Sequence, residues 1–452
     1  MYSSSNIEKK VNKYIESHQL LDKGRKVAIA LSGGPDSVCL LIMLKRLGYL
    51  CEAIHCNFHL RGAESMRDEE FVTRLCERQG VKLYKKDFNT GIYAAEMGIS
   101  LEIAAREQRY GFFAEVLDTN DIQAICVAHH RDDNAETLLL NLVRGTGIRG
   151  MRGMLPKNGR VIRPFLCISR EEVMHYLELH QQDYVFDSSN GFDVFARNKI
   201  RLDVMPLLKS INFSASANIA SSMENLAEVC KVYEHAMHQD MEHCTMRKSD
   251  NAFGISKEKL FESVSPRSVI HEVVYPLGFN RKQEEDIWNA IKGIPGKIFS
   301  SPKWRLLVDR DTLEIERKTI KPEEAERILN ICGDHGEFTV KDLGLIKYKV
   351  VYIKDLQINP NRNHAYLDMD KLSMPLTLRT VKTGDYFAPF GLKGDIKLVS
   401  DFLTDRKLSR FQKEHQKVIC SGDDIAWIVG ERSSDNYRVD EYSRRVLVLK
   451  VE

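Results

Sequence analysis

The chain has 452 residues, a length that favours two or three domains over one. Hydrophobic residues make up 43% and charged residues 29%, and no stretch approaches the roughly 18 uncharged apolar residues of a membrane span. The formal net charge of +2 neither requires nor excludes a nucleic-acid partner, because such binding depends on local patches. The N-terminus lacks an apolar signal core, so we expect a cytoplasmic protein without a membrane partner.

Strand-like and helix-like patterns alternate between residues 25 and 165. Predicted strands are Val27–Leu31, Cys51–Asn57, Lys82–Phe88, Ile122–Ala128 and Val161–Arg163. Predicted helices are Pro35–Leu47, Arg67–Gln79, Leu101–Asp118 and Asp133–Arg144. This alternation predicts an α/β fold with a doubly wound parallel sheet and helices on both faces. Ligands of such sheets bind beyond the carboxyl ends of the strands, where the strand order reverses.

The downstream part of the chain changes character twice. Ser169 and Glu172 form a probable capping box that begins a further helix, and the chain is helical in pattern from Ala196 to Met246. Short strands and turns return in the last part of the sequence. We therefore predict four segments: a catalytic domain (1–210), a mainly helical middle domain (211–320), a linker and connecting segment (321–370) and a small α+β C-terminal domain (371–452).

The ten cysteines are scattered, and no C-x-x-C pair occurs among them. This spacing indicates reduced thiols and argues against a thiolate zinc or iron–sulfur site. His55, Cys56 and His59 lie close in sequence, but no second ligand pair completes a zinc site.

The hexapeptide Ser32–Ser37 (SGGPDS) stands between a predicted buried strand and a predicted helix. Gly33 and Gly34 allow backbone N–H groups to approach an anion, and Pro35 suits the first turn of a helix whose positive end then faces a phosphate. Ser32 and Ser37 add hydroxyl donors. Asp36 would repel a bare phosphate, so its presence favours a Mg²⁺ ligand. The alternative is an ordinary strand-to-helix turn with a polar N-cap.

The hexapeptide resembles the pyrophosphate loop of the N-type ATP pyrophosphatases, which cleave ATP between its α- and β-phosphates and adenylate a substrate. Four further stretches lie at residues 55–62 (HCNFHLRG), 105–113 (AREQRYGFF), 128–154 (AHHRDDNAETLLLNLVRGTGIRGMRGM) and 187–201 (DSSNGFDVFARNKIR). Together with residues 375–445 they resemble the tRNA(Ile)-lysidine synthases. Phe58 and Asn134 depart from the family pattern, which often has His and usually has Gln there.

The resemblance implies a ligase that adenylates C2 of the wobble cytidine in the CAU anticodon of tRNA(Ile) and then replaces AMP by the ε-amine of L-lysine. ATP is the co-substrate, and Mg²⁺ is the expected metal. We expect ATP to contact the six loop residues together with His55 and His129. Asp36 and Asp133 are the predicted catalytic residues, and Asp36 is the predicted metal ligand. The oligomeric state stays open, with a homodimer among the alternatives.

Carboxylates near the start of the helix after His130 are candidates for lysine binding. Asp132, Asp133 and Glu136 can receive an ammonium group or a proton. Asp133 and Glu136 also fit a capping box, so an N-cap is the competing interpretation. Arg106 and Arg109 share a helix face and are either substrate ligands, with Arg106 assigned to lysine, or part of a solvated surface.

Several basic residues are candidates for tRNA binding. Glycines surround Arg144, Arg149 and Arg152, which suits contact with a flexible RNA backbone, and Arg197 and Arg201 share a helix face. The last five cluster in the C-terminal segment, where the resemblance implies contact with the tRNA acceptor arm and a solvated surface is the alternative. The candidates are Arg144, Arg149 and Arg152, Arg197 and Arg201, and Lys393, Lys397, Arg406, Lys407 and Arg410. Asp187 and Asn190 are either site residues or turn residues.

Two rival functions fit the same loop. A tRNA 2-thiocytidine sulfurtransferase would need paired cysteines, and the missing C-x-x-C argues against it. The second rival is a non-catalytic nucleotide-binding or RNA-binding module, in which Asp36 and Asp133 would be dispensable.

Overall fold

The computed structural model describes residues 3–185, 194–249, 251–318, 326–340, 343–392 and 394–452. The chain divides into two compact units, Met1–Glu234 and His235–Glu452. Within the described ranges, no helix combines the length and the apolar character needed to cross a membrane.

The first unit alternates strands and helices as the sequence predicts. Its elements up to the fourth strand are α1 (Ser4–Ser17), β1 (Lys26–Ala30), α2 (Pro35–Arg46), β2 (Leu50–Asn57), α3 (Ala63–Gln79), β3 (Leu83–Asp87), α4 (Thr90–Met97), α5 (Leu101–Thr119) and β4 (Ala124–Cys126). They are followed by α6 (Arg131–Arg144), α7 (Ile148–Met151), β5 (Lys157–Asn158), β6 (Val161–Ile162), α8 (Arg170–Leu179), α9 (Val194–Lys199), α10 (Met205–Ile211) and α11 (Ala215–Cys244), which contains the unit boundary.

These strands form one sheet in the order β3-β2-β1-β4-β6-β5, in which only β5 runs antiparallel to its neighbour. The strand order reverses between β1 and β4, which are adjacent although β2 and β3 separate them in sequence. The carboxyl ends of β1 and β4 therefore lie side by side. This confirms the predicted parallel α/β sheet and places the Ser32–Ser37 turn, after β1, and the stretch beginning at Ala128, after β4, at one edge.

Alternation along β1 explains how both faces of the sheet are covered. Val27 and Ile29 belong to a buried cluster that includes residues of α1, α2, α3 and α8. Ala28, between them, belongs to a cluster with Phe112 and Phe113 of α5. Successive strand residues point to opposite faces, so a continuous apolar run is required where both faces are packed.

The predicted helix at Ser169 is confirmed. Its hydroxyl accepts a hydrogen bond from the backbone N–H of Glu172, and the Glu172 carboxylate accepts one from the N–H of Ser169. The chain after Ala196 is also helical as predicted, through α9, a π-helical stretch (Ile200–Val204), α10 and α11.

The segment 245–317 contains a sheet that the sequence did not predict. Its helices are α12 (Lys257–Glu262), α13 (Pro266–Val274) and α14 (Arg281–Ile291); its strands are β7 (Thr245–Ser249), β8 (Ala252–Ser256), β9 (Lys297–Ser300), β10 (Trp304–Val308) and β11 (Thr312–Arg317). The strands pair antiparallel in the order β7-β8-β11-β10-β9. The pairing of β8 with β11 joins two strands that three helices separate in sequence. Local periodicity does not reveal pairing between segments so far apart.

The last part of the chain is β-rich. Its elements are β12 (Arg327–Leu329), β13 (His335–Val340), β14 (Gly344–Tyr352), β15 (His364–Asp368), β16 (Leu376–Thr380), β17 (Tyr386–Phe387), β18 (Lys397–Leu398), α15 (Val399–Asp405), α16 (Arg410–His415), β19 (Lys417–Ser421), β20 (Asp424–Ile428), β21 (Arg432–Ser433) and β22 (Arg445–Val451). The sheets run β12-β16-β19-β20-β21 and β13-β14-β22-β15, with β17 and β18 as a small pair. Side chains from both larger sheets share one buried cluster.

This arrangement changes the interpretation of the segment expected to be a linker. Strands β12 to β15 lie between residues 327 and 368. Of these, β12, β14 and β15 pair with strands that follow residue 375, and β13 pairs with β14. Part of the segment 321–370 therefore belongs to the C-terminal sheets.

Candidate active site

The turn between β1 and α2 leaves backbone N–H groups free for an anion. Gly34 is the N-cap of α2 and offers no side-chain cap, and Pro35 occupies the first turn. The first N–H groups of a helix have no intrahelical partner, and the helix dipole favours negative charge there. Gly33 has φ +90, and a Cβ at that position would lie 3.3 Å from Cγ2 of Val72. The turn therefore requires glycine at Gly33 for conformation and for packing.

The two serine hydroxyls stabilise the turn itself. Oγ of Ser37 donates to the carbonyl oxygen of Gly34 at 3.0 Å and accepts from the backbone N–H of Ser32 at 3.2 Å. The two hydroxyl oxygens are 3.2 Å apart. Both serines thus hold the loop in its open shape, in addition to any contact with phosphate.

Asp36 offers an oxygen without a partner. Its Oδ1 is buried and has no hydrogen bond within the described residues. Burial raises the pKa of this carboxyl, opposed by nearby His130, whose Nε2 lies 3.9 Å from Oδ1. A carboxylate oxygen without a hydrogen-bond partner, beside a turn suited to phosphate, fits Mg²⁺, which proteins hold through one or two carboxylates together with substrate phosphates. No group of three or more metal-ligating side chains occurs in the described part of the chain.

The helix after β4 begins two residues earlier than predicted. The N-cap of α6 is His130, whose Nδ1 accepts from the backbone N–H of Asp133 at 3.3 Å, while Oδ2 of Asp133 accepts from the N–H of His130 at 3.0 Å. The proposed capping box with Asp133 as N-cap and Glu136 as its partner is therefore wrong. Asp133 is a capping residue at the third helical position, and Glu136 lies three positions further, outside the capping box.

The two candidate lysine ligands Asp133 and Glu136 are already paired with arginines. Arg201 donates from Nε to Oε1 of Glu136 at 2.7 Å and from a terminal nitrogen to Oε2 at 2.8 Å. Arg197 donates from Nε to Oε2 of Glu136 at 3.1 Å, and both arginines reach Oδ1 of Asp133, at 3.3 and 3.1 Å. Glu136 is only 3% exposed. We call these four side chains the charge cluster.

The charge cluster places Arg197 and Arg201 beside the candidate catalytic residues, a position that the sequence did not indicate. Their spacing of four put them on one helix face, as predicted, but their partners lie more than sixty positions earlier. Two cations and two anions close together neutralise each other, which permits their burial.

His129 lies next to the charge cluster and is a half-buried, uncharged ring whose Nδ1 is buried. Burial lowers its pKa to about 4, assisted by Arg163 and Arg197 and opposed by Asp133. Its Nδ1 has no hydrogen-bond partner within the described residues. At neutral pH this ring can therefore accept or donate a hydrogen bond toward a ligand without adding charge.

Asp132 and Arg106 differ in their surroundings. Asp132 accepts from the backbone N–H of Arg170 at 2.8 Å and lies 4.0 Å from Nζ of Lys209. Arg106 is exposed, with its guanidinium 4.9 Å from the ring centroid of Tyr110.

His55 is a buried residue of β2. Its Nδ1 donates to the carbonyl oxygen of Leu31 at 2.8 Å, and burial lowers its pKa. Leu31 directly precedes the phosphate-binding turn. The ring therefore helps to fix the entry of the chain into that turn.

The two departures from the family pattern have local partners. The ring of Phe58 stacks on Phe88 with centroids 5.4 Å apart and lies under the guanidinium of Arg109 at 5.3 Å. The side chain of Asn134 accepts from the backbone N–H of Met154 at 2.7 Å, which ties α6 to the glycine-rich loop.

The candidate tRNA-binding residues differ in their exposure and in their ion pairs. Arg144 is exposed at the end of α6, whereas Arg149 and Arg152 pair with Glu234 at 3.1 and 3.2 Å. In the C-terminal segment three residues pair with carboxylates: Lys397 with Asp405, Arg406 with Glu431 at 2.9 Å, and Arg410 with Glu414 at 3.6 Å. Lys407 is exposed at a positive φ of 60. Asp187, Asn190 and Lys393 lie outside the described residues.

Comparison with known proteins supports the loop assignment. A sequence profile described as a PP-loop domain matches residues 3–208, and one described as a TilS substrate binding domain matches residues 248–318. A tRNA(Ile)-lysidine synthase of Parabacteroides distasonis is 45% identical over 436 residues, covering 96% of this chain and 98% of the relative. That of Bacteroides thetaiotaomicron is 42% identical over 445 residues, covering 98% and 100%. A more distant relative from Caldanaerobacter subterraneus is 29% identical over 457 residues, covering 98% and 97%. With two relatives above 40% identity along nearly its whole length, the chain belongs to the tRNA(Ile)-lysidine synthase family.

Proposed function

We propose that this protein converts the wobble cytidine of the CAU anticodon of tRNA(Ile) to lysidine in the cytoplasm, consuming ATP and L-lysine. The observation that carries the proposal is the meeting of the Ser32–Ser37 turn and the His129–Glu136 segment at the carboxyl ends of adjacent strands β1 and β4. One element suits a phosphate and the other a cationic amine, so both reactants can reach the same cytidine.

ATP is bound by the turn. The free N–H groups at the start of α2 face the β- and γ-phosphates, while Ser32 and Ser37 keep the turn open. Asp36 would hold Mg²⁺, which supplies charge neutralisation of the phosphates when bound. The cytidine C2 oxygen then attacks the α-phosphate, and pyrophosphate leaves.

Lysine attacks C2 with its ε-amine and must first lose a proton. The carboxylates of Asp132, Asp133 and Glu136 form the acidic side of the site, and the arginines of the charge cluster fix the last two in position. AMP leaves from C2, because adenylation turns a poor leaving group into a good one.

We assign the chemistry and the binding of tRNA to different parts of the chain. Residues 1–210 would carry the chemistry, supported by the PP-loop profile over 3–208. The middle segment and the basic residues around α15 and α16 of the C-terminal part would hold the tRNA.

The test of the proposal is a reconstituted reaction. The intact protein is incubated with ATP, Mg²⁺, labelled lysine and a CAU-anticodon tRNA transcript, followed by nucleoside analysis. Lysidine should form, and a transcript with a different wobble base should remain unlabelled. Absence of lysidine under these conditions would contradict the proposal.

The nucleotide products should be AMP and pyrophosphate, because the turn holds the two terminal phosphates as one leaving group. Chromatography of the spent nucleotide measures this directly. ADP and phosphate as products would exclude the proposed attack at the α-phosphate.

The C-terminal basic residues should contribute to tRNA affinity. We expect the double reversal Lys407→Glu with Arg410→Glu to weaken tRNA binding and make its salt dependence shallower, by about one unit of slope per lost phosphate contact. Both side chains are exposed, so the fold should persist. The matched control is Lys354→Glu with Arg362→Glu, also exposed. An unchanged slope in the first variant would mean that this cluster does not touch RNA.

A further inference from the structure

Glu234 of α11 binds two arginines that are candidates for contact with tRNA. Its Oε1 accepts from Nε of Arg149 at 3.1 Å and from a terminal nitrogen of Arg152 at 3.2 Å. We call these two contacts the Glu234 bridge. The arginines precede Glu234 by 85 and 82 positions, so the bridge joins the glycine-rich loop (145–153) to α11. The side chains of Glu234 and Arg149 are 37% and 47% exposed, which leaves the bridge accessible to an approaching RNA.

A single oxygen between two guanidinium groups also has the geometry with which arginines hold a phosphate. Guanidinium N–H groups donate to carboxylate and phosphate oxygens in the same way and at similar distances. Arg152 is kept close to α11 by a further contact, from the same terminal nitrogen to Sγ of Cys230 at 3.4 Å. A phosphate oxygen of RNA in the place of Oε1 of Glu234 would therefore meet the same donors.

The glycine-rich loop has other contacts that hold it in position. The side chain of Asn141 donates to the carbonyl oxygen of Gly150 at 3.0 Å, and the side chain of Asn134 accepts from the backbone N–H of Met154 at 2.7 Å. Both asparagines belong to α6, so this helix fixes the loop at two points. Loss of the Glu234 bridge should therefore release the arginines and leave the loop in place.

The balance of charge makes Glu234 a competitor of RNA. The two arginines with Glu234 carry a net charge of about +1, and the arginines alone would carry about +2. Ion pairs that are partly exposed contribute little to stability, whereas contact of arginine with an RNA phosphate is favoured by release of counterions. The bridge can therefore form in the free protein and still be broken by RNA.

We propose that Glu234 occupies the RNA-binding arginines of the glycine-rich loop in the free enzyme and that a phosphate of the bound tRNA displaces it. This assignment rests on the proposed function, since it takes tRNA as the substrate, and it adds a device that weakens binding. An RNA that presents a phosphate at the loop opens the bridge, and an RNA that does not leaves the bridge closed.

The test removes the competing charge. Glu234→Gln preserves the size of the side chain, and the affinity of the intact protein for a CAU-anticodon tRNA transcript is measured at several salt concentrations. The variant should bind about three- to tenfold more tightly than the wild type. Its salt dependence should be steeper by about one unit of slope, because the loop neutralises about one more phosphate.

Glu228→Gln is the matched control. Glu228 lies on the same helix, is 71% exposed and pairs with Lys231, so the variant changes the net charge equally without touching the bridge. Its affinity and salt slope should stay close to those of the wild type, because solvent and salt screen an exposed charge. A third variant adds Arg149→Gln and Arg152→Gln to Glu234→Gln, and it should lose the gain in affinity.

Equal affinities of Glu234→Gln and Glu228→Gln would overturn the proposal, as would a gain that persists without the two arginines. Weaker binding or loss of folding in Glu234→Gln would also overturn it, by showing that the bridge is a structural contact that the loop needs. Failure of the wild type to form lysidine with the same transcript would instead contradict the proposed function, and the comparison of affinities would still decide the role of Glu234.

Discussion

Replacement of Asp36 by Ala is expected to abolish cleavage of ATP to AMP and pyrophosphate, with a loss of at least about a hundredfold in rate. Asp36 offers a buried carboxylate oxygen without a partner beside the phosphate-binding turn. This substitution removes the carboxylate that the proposed function assigns to Mg²⁺. Asp36→Asn should have nearly the same effect, because it preserves the shape of the side chain and removes its charge. Pyrophosphate release with saturating ATP and tRNA is the measurement.

The stability of these variants should stay close to that of the wild type. An acidic residue in the first turn of a helix contributes about 0.3–1 kcal/mol through the helix dipole, and relief of its buried charge offsets part of that loss. Glu171→Ala is the control, since Glu171 is an exposed acid in the first turn of α8. Wild-type turnover by a folded Asp36→Ala enzyme would exclude the metal assignment.

Replacement of Arg201 by Met is expected to lower the free energy of unfolding by about 1.5–3 kcal/mol and to eliminate lysine transfer. Arg201 makes two parallel hydrogen bonds to the buried carboxylate of Glu136. Removal of the guanidinium leaves that carboxylate with Arg197 as its remaining partner in the charge cluster. Denaturant unfolding measures the first effect, and incorporation of labelled lysine into tRNA measures the second.

A second variant separates the structural role from the catalytic one. Glu136→Met combined with Arg201→Met replaces both charges by apolar groups, which should restore much of the lost stability because neither charge remains unpaired. Lysine transfer should not return, since the carboxylate is absent. Full lysine transfer by the stable double variant would mean that the charge cluster has only a structural role, joining α6 to the segment that carries Arg197 and Arg201.

Local patterns in the sequence were sufficient to predict where the candidate active-site residues of the first unit lie. The chain is apolar from Val27 to Leu31, before the turn, because both faces of this strand are packed. The turn itself is encoded by Gly33, Gly34 and Pro35. Alternating periodicities likewise predicted the parallel sheet. Because β1 and β4 end at the same edge of such a sheet, their motifs were expected to meet.

Only the tertiary structure decided which side chains neutralise each other. Glu136 and Arg201 are 65 positions apart, and their pairing depends on how α6 packs beside the π-helical stretch. The start of α6 was predicted two residues too late, at Asp133, because the N-cap is the ring of His130, which the local pattern did not single out. The sheet of residues 245–317 and the strands β12 to β15 escaped prediction for a related reason. Antiparallel pairing between distant short strands depends on long-range contacts, which local periodicity does not record.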